Sequence, residues 1–188
     1  MIQIKNVTFY YGDFLVFENL NLKIADVGIT AVTAPSGCGK TTLLRLISGL
    51  EKPQSGSILF ENSEPRISYV FQEQRLLPWF SIIENVKVFS GVKKEKALSL
   101  LSKFGIDEKL AEKRPNELSG GQNQRVCIAI ALLFSGDILL LDEPFTGLDE
   151  KNRSIVIEEI KKISKTKAVI LVSHIEKDIK IADKIIEL

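Results

Sequence analysis

The chain of 188 residues is short of several things, and each shortage narrows what it can do. It has two cysteines, Cys38 and Cys127, and neither belongs to a C-x-x-C pair, so no zinc or redox framework is suggested. Two thiols without such spacing fit a reducing cytosol. Long hydrophobic runs are missing too. The longest, VCIAIALLF from Val126 to Phe134, falls well below the ~20 apolar residues that cross a bilayer. The opening MIQIKNVTFYYG is interrupted by charged and polar residues and does not read as a signal peptide. A membrane role would therefore require another polypeptide to hold the chain there. Neither sign of charge dominates: 25 Lys and Arg stand against 24 Asp and Glu, the net charge is +1, and nucleic acid is not expected as a partner. There is a single histidine, His174.

What remains is ordinary for a globular protein, with 45% hydrophobic and 26% charged residues and a length that favours one domain, or one core with a smaller lobe. No internal repeat or low-complexity tract is visible. IQIKNVTFYY and LNLKIAD alternate apolar and polar residues, which predicts antiparallel strands with one wet face. GITAVTA predicts a buried strand running into a Gly-rich loop, and TTLLRLISGL a helix ended by Gly49. GSILFE and RISYVF read as strands. From Ser81 to Glu112 helical periodicity and lysine dominate, predicting a helical lobe inserted between strands. DILLLDEP reads as a strand covered on both faces. A helix over Glu150 to Ser164, a strand AVILVS, a helix EKDIKIA and a last strand KIIEL complete an α/β pattern with a mainly parallel sheet.

The chemistry begins at TAPSGCGKTT, Thr33 to Thr42. Phosphate oxygens need many donors at close range, and backbone N–H groups supply them only where side chains leave room. Gly37 and Gly39 leave that room, with Ser36, Cys38 and Thr42 beside them. Lys40 can reach the β and γ phosphates, Thr41 offers a hydroxyl to Mg²⁺, and the helix that follows points its positive end at the anion. In the pattern G-x-x-x-x-G-K-[ST], Ala34 stands where the first glycine belongs. The added methyl is tolerable if φ is negative there and serious if it is not. A plain Gly-Ser turn before a helix is the other reading of this stretch alone.

ILLLDEP ends an apolar strand with Asp142 and Glu143, and a carboxylate at that edge of a parallel sheet lies beside the phosphate loop. Asp142 can hold Mg²⁺ and Glu143 can polarise an attacking water. LSGGQNQR, Leu118 to Arg125, makes a second exposed helix start with a free hydroxyl and bare amides. One chain rarely needs two anion cradles for one nucleotide.

Together PSGCGKTT, LSGGQNQR and LLLDEP, in this order and over nearly the whole chain, resemble the ATP-binding subunits of ABC transporters. The resemblance implies a P-loop NTPase core with an N-terminal antiparallel β subdomain and an inserted helical subdomain. Within the single domain, residues 1–72 and 118–188 would form the nucleotide-binding core and 73–117 the helical insert. It further implies that two copies pair head to tail, with ATP and Mg²⁺ between the phosphate loop of one and Ser119, Gly120, Gly121 and Gln122 of the other. Tyr11 would stack on adenine, with Tyr10 the lesser candidate and a plain strand role open to both. Gln72 would touch Mg²⁺ and the attacking water and begin the segment that senses the membrane partner. Asp149 in TGLD would organise the opposing site, and His174 would bond the γ-phosphate. Lys40, Mg²⁺ and backbone amides would spread charge on the transferring phosphoryl group while Glu143 directs the water.

The segment FQEQRLLPW resembles importer ATPases for nitrate, sulfonates and taurine, and also those for thiamine-type pyrimidine precursors. Leu76, Leu77, Pro78 and Trp79 would lie near the groove that receives a permease helix; core packing of Leu77 and Trp79 is the competing reading. By the same resemblance the partners are an integral-membrane permease, a second copy of the chain and an extracytoplasmic solute-binding protein, and the place of work is the cytoplasmic face of the cell membrane. Only 46 positions separate Gln72 from Leu118, fewer than the family usually has, and the stretch between Ser55 and Gln72 is compact. A minimal subunit with a trimmed helical lobe and no added regulatory domain is expected. The competing classes are a soluble ABC-type ATPase, such as an iron–sulfur assembly scaffold ATPase, and an inactive binding module in which Ala34 has abolished nucleotide binding. Intact Lys40, Glu143 and His174 argue against the last.

Overall fold

The computed structural model describes residues 1–61 and 64–188. The chain runs β1 (Ile2–Tyr11), β2 (Phe14–Ile24), β3 (Gly28–Thr33), α1 (Lys40–Ile47), β4 (Ser55–Phe60) and β5 (Ile67–Val70). It continues through α2 (Ile82–Ser90), α3 (Lys94–Lys103), α4 (Glu108–Ala111), a 3₁₀ turn at Pro115–Glu117 and α5 (Gly120–Phe134). The last third is β6 (Ile138–Asp142), α6 (Glu150–Ser164), β7 (Ala168–Val172), α7 (Glu176–Ile179) and β8 (Lys184–Glu187). Asn62 and Ser63, within the compact stretch noted above, lie outside the described residues.

The first sheet is antiparallel, in the order β2-β1-β4. Its alternation changes phase within β1: Ile2 and Ile4 are buried, then Val7 and Phe9. The pairing with β2 shifts register between Ile4 and Val7, and Asn6 adopts a positive φ of 49°. This bulge inserts the extra residue that keeps all four side chains on the core face.

The second sheet is wholly parallel, in the order β5-β6-β7-β3-β8. β6 and β7 are buried at every position, as apolar strands covered on both faces must be. One core lies between this sheet, α1 and the antiparallel sheet, and holds Leu43, Leu44, Ile47 and Leu140. The other lies on the opposite face and joins the sheet to the helices through Val86, Leu101, Phe104, Val126 and Val156. α2 starts at a capping box, in which Ser81 Oγ accepts from the Glu84 N–H and Glu84 returns a bond to the Ser81 N–H. α2 and α3 pack on α5. Among the described residues, no helix is long and apolar enough to cross a membrane.

Parallel strands send their C-terminal ends to one edge. The Gly-rich loop follows β3, Gln72 follows β5, Glu143 follows β6 and His174 follows β7, so four separate stretches of sequence meet there.

Candidate nucleotide site

The loop from Pro35 to Gly39 turns the chain from β3 into α1. Gly37 and Gly39 have φ of 85° and 84°. A Cβ on Gly39 would sit 2.7 Å from both Phe17 Cζ and Val16 Cγ1, so any other residue would have to displace those side chains as well as adopt a strained backbone. Ala34 is not among the residues with positive φ. The missing first glycine therefore carries no backbone strain. The Ala34 carbonyl accepts from Lys40 Nζ at 2.8 Å, and the Pro35 carbonyl accepts from it at 2.9 Å.

A cleft of about 670 Å³ opens above this loop. Lys40, Thr41, Gln72, Asp142, Glu143 and His174 all line it, together with Ser36, Gly37, Gly39 and Thr42. Tyr11 lines it from the tip of the β1–β2 hairpin, whereas Tyr10 does not. The Tyr11 ring sits edge-on to Phe9 with centroids 4.8 Å apart. A hydrogen bond with Tyr11 is the largest influence on the Arg45 guanidinium and raises its pKa. Cys38 does not line the cleft, and its side chain is exposed.

Asp142 is 1% exposed, and among the described residues its Oδ1 has no hydrogen-bond partner. Burial raises its pKa above the usual carboxylate value, opposed by a bond from the Thr41 hydroxyl. A buried carboxylate beside the Thr41 hydroxyl, in a cleft that the Gln72 amide also lines, offers oxygen ligands to a hard cation. Among the described residues there is no cluster of three or more His, Cys, Asp or Glu that could hold a metal. One carboxylate is nevertheless the usual protein share for Mg²⁺, which takes its other ligands from water and substrate phosphates. Thr41, Asp142 and Gln72 fit that ion.

Glu143 follows Asp142 with φ of 48°, a left-handed conformation that a non-glycine residue holds only at a cost of order 1–3 kcal/mol. Its N–H donates to the Val172 carbonyl at 2.9 Å, which fixes the turn against β7. Its Oε1 lies 2.7 Å from His174 Nδ1.

The second cradle lies elsewhere. Ser119 caps α5: its Oγ accepts from the Gln122 N–H at 3.3 Å, and Gln122 Oε1 accepts from the Ser119 N–H at 2.8 Å. The hydroxyl keeps its own proton free to donate. Ser119, Gly120, Gly121 and Gln122 are not part of the cleft around Lys40. A Cβ on Gly121 would lie 2.5 Å from the Gly147 carbonyl, so the start of α5 is pressed onto the TGLD loop. Asp149 ends that loop as the N-cap of α6. It accepts from the Asn152 N–H at 2.8 Å, and its bonds from Asn152 lower its pKa.

The model of the family described as ABC transporter matches residues 17–146. This chain belongs to that family. The ABC ATPase is 37% identical, over 97% of its length and 73% of the relative's, to the aliphatic sulfonates import ATP-binding protein SsuB 1 of Mesorhizobium japonicum. It is 39% identical to the spermidine/putrescine import ATP-binding protein PotA of Lawsonia intracellularis, over 88% of this chain and 49% of that one. A dimeric post-hydrolysis structure of the ATP-binding cassette MJ0796, bound to ADP and Pi, superimposes with a TM-score of 0.89 at 32% identity, covering 100% of this chain and 94% of that one. The protein is accordingly an ATPase of the ABC fold that uses ATP with Mg²⁺.

Reasoning from the sequence missed several cleft residues of this ABC ATPase. Phe14 is 66% exposed and lines the cleft opposite Tyr11, with Val16 beside it. The signal was present in YYGDF, where a two-residue Gly-Asp turn sets aromatic residues on both sides of a hairpin tip. Thr146, the first residue of TGLD, lines the cleft, whereas Asp149 at the end of that motif does not. In the segment after Gln72, the two readings of Leu77 and Trp79 divide. Trp79 is 63% exposed, while Leu76 packs on the helical core and Leu77 is half-buried beside it.

Proposed function

We propose that this ABC ATPase works as a head-to-tail homodimer that closes around two Mg-ATP and drives an integral-membrane permease. The observation that carries this reading is the separation of the two cradles within one chain. Lys40, Glu143 and His174 face one cleft, while the Ser119 helix start opens outside it. A second copy would bring Ser119, Gly120, Gly121 and Gln122, with Asp149, against the γ-phosphate held by the first.

In this reading Lys40 and the amides of Gly37 to Thr42 bind the phosphates, and Tyr11 packs against the base. Thr41, Asp142 and Gln72 hold the ion, which supplies Lewis-acid neutralisation of phosphate charge. Glu143 accepts the proton of the attacking water. His174, 2.7 Å away, holds Glu143 in place and bonds the γ-phosphate. Closure with ATP and opening after hydrolysis form the two-state element that moves the permease.

Residues 73–117 act as the helical insert that receives the permease. Between Trp79 and Phe89, the exposed apolar side chains suit a docked helix. The solute is a small anion of the nitrate, sulfonate or taurine class, or a thiamine precursor. FQEQRLLPW supports that reading, as does the sulfonate relative; overall identity alone does not, since a polyamine relative matches comparably. A solute-binding protein would complete the importer, with the ATPase peripheral on the cytoplasmic face.

Glu143→Gln tests the core of this proposal. It should cut turnover by about 10²-fold or more and trap an ATP-bound dimer on gel filtration with light scattering. A variant that hydrolyses normally, or stays monomeric at high concentration with ATP, overturns the arrangement.

A further inference from the structure

The loop after β7 contains a contest for one proton that none of the roles above uses. Ser173 Oγ lies 2.8 Å from Asp178 Oδ2 and 3.3 Å from Glu143 Oε2. Both neighbours are carboxylate acceptors, and a serine hydroxyl has a single proton to donate. The Ile175 N–H, 3.1 Å away, donates to Ser173 Oγ and fixes the oxygen in place. Asp178 is 1% exposed, and its other oxygen, Oδ1, accepts from both Nε (2.9 Å) and Nη2 of Arg153. Arg153 in turn lies over the Phe145 ring, 5.5 Å from its centroid. Asp178 is thus a buried, oriented carboxylate whose free oxygen aims at Ser173. The shorter contact has the stronger claim on the proton, and with the proton on that side Glu143 Oε2 would face the lone pairs of Ser173.

We propose that Asp178, steered by Arg153, is a positioning residue for hydrolysis. By holding the Ser173 proton it keeps Glu143 Oε2 open to accept a hydrogen bond from the attacking water. The inference rests on the reading of Glu143 as the group that directs that water. Arg153 stands four residues after Asp149 on α6, so the helix start that would face the second copy and the group that orients Asp178 move as one rigid piece.

Asp178→Asn tests this with almost no change of shape. The amide oxygen must face the two guanidinium donors, so the amide nitrogen faces Ser173 and donates to it. Ser173 then has Glu143 Oε2 as its remaining acceptor. Turnover should fall by about tenfold, with KM for Mg-ATP within about twofold, since only the reacting water loses its acceptor. The ATP-bound dimer followed by light scattering should live correspondingly longer. Adding Ser173→Ala removes the redirected proton, and the double variant should return to within about threefold of Ser173→Ala alone.

No recovery in the double variant overturns the proposal, because Asp178 would then act only through the fold. Ser173→Ala alone should keep turnover within about threefold of the parent. A loss as deep as that of Glu143→Gln overturns the proposal too, since the hydroxyl would then serve Glu143 directly. Thermal melts without nucleotide check that Asp178→Asn folds; if it does not, Ser173→Ala decides alone. If Glu143→Gln leaves turnover intact, the assignment of Glu143 itself falls. If Glu143→Gln blocks turnover and Asp178→Asn does not, only the role of Asp178 falls.

Discussion

The ammonium of Lys40 donates to the backbone carbonyl of Ala34 at 2.8 Å, so the residue that departs from the phosphate-loop pattern meets the loop's lysine through its main chain. That carbonyl would be in place whatever side chain stood at position 34. Ala34 also has no positive φ, the one condition under which the absent glycine would matter. The departure carries no backbone strain at the strand exit, and the conformational demand of the loop rests on Gly37 and Gly39 instead.

Ala34→Gly should therefore change ATP affinity by less than about tenfold, on the order of 1 kcal/mol. It should also lower the thermal stability slightly, because glycine adds freedom to the unfolded chain worth roughly 0.4–1 kcal/mol. Titration with a fluorescent nucleotide and a thermal melt measure the two effects. A large gain in affinity would mean that the natural loop is strained.

Lys40→Ala should weaken Mg-ATP binding by about 10- to 100-fold, the worth of a charged donor at ~1.5–3 kcal/mol. The fold should survive, since among the described residues the Lys40 side chain is bonded only to two loop carbonyls. Calorimetric titration checks this, and unchanged binding would remove the loop from the site.

Asp142 carries a pH signature. Burial holds its pKa above the ordinary value of 3.8. Over the window between that value and the raised one, the folded chain keeps a proton that the unfolded chain has released. The stability this group contributes is full below 3.8 and is lost as pH rises through the raised pKa. At neutral pH the ionised carboxylate is buried at a cost that a bound cation would offset. Asp142→Asn should therefore raise the melting temperature at pH 7 without Mg-ATP, while losing most of the stabilisation that Mg-ATP gives the parent protein. A variant that melts lower without ligand would contradict this account of the carboxylate.

Much of the molecule was legible in the linear chain because the signals are local. The α6 boundaries follow from Asp149 as a cap and an apolar stripe ending at Ser164. β6 and β7 follow from unbroken apolar runs between turn residues. Lys40, Thr41, Asp142 and Glu143 are legible because their chemistry needs those residue types at a strand end or a helix start.

The neighbours across the fold were not legible. Nothing near Glu143 in sequence says that β6 lies beside β7, with Asp142 paired to Val172, yet that pairing sets His174 2.7 Å from Glu143. Nor does sequence order reveal that Ser173, Asp178 and Arg153 converge behind Glu143, or that Cys38 is exposed and does not line the cleft that Gly37 and Gly39 line. The amino-acid sequence by itself determined the elements, the loop chemistry and the family, since backbone conformation and periodicity are decided within a few residues. Tertiary structure alone decided the strand order, the left-handed turn at Glu143 and the contest for the Ser173 proton. Those depend on hydrogen bonds and packing between segments that meet only when the two cores close on the sheet.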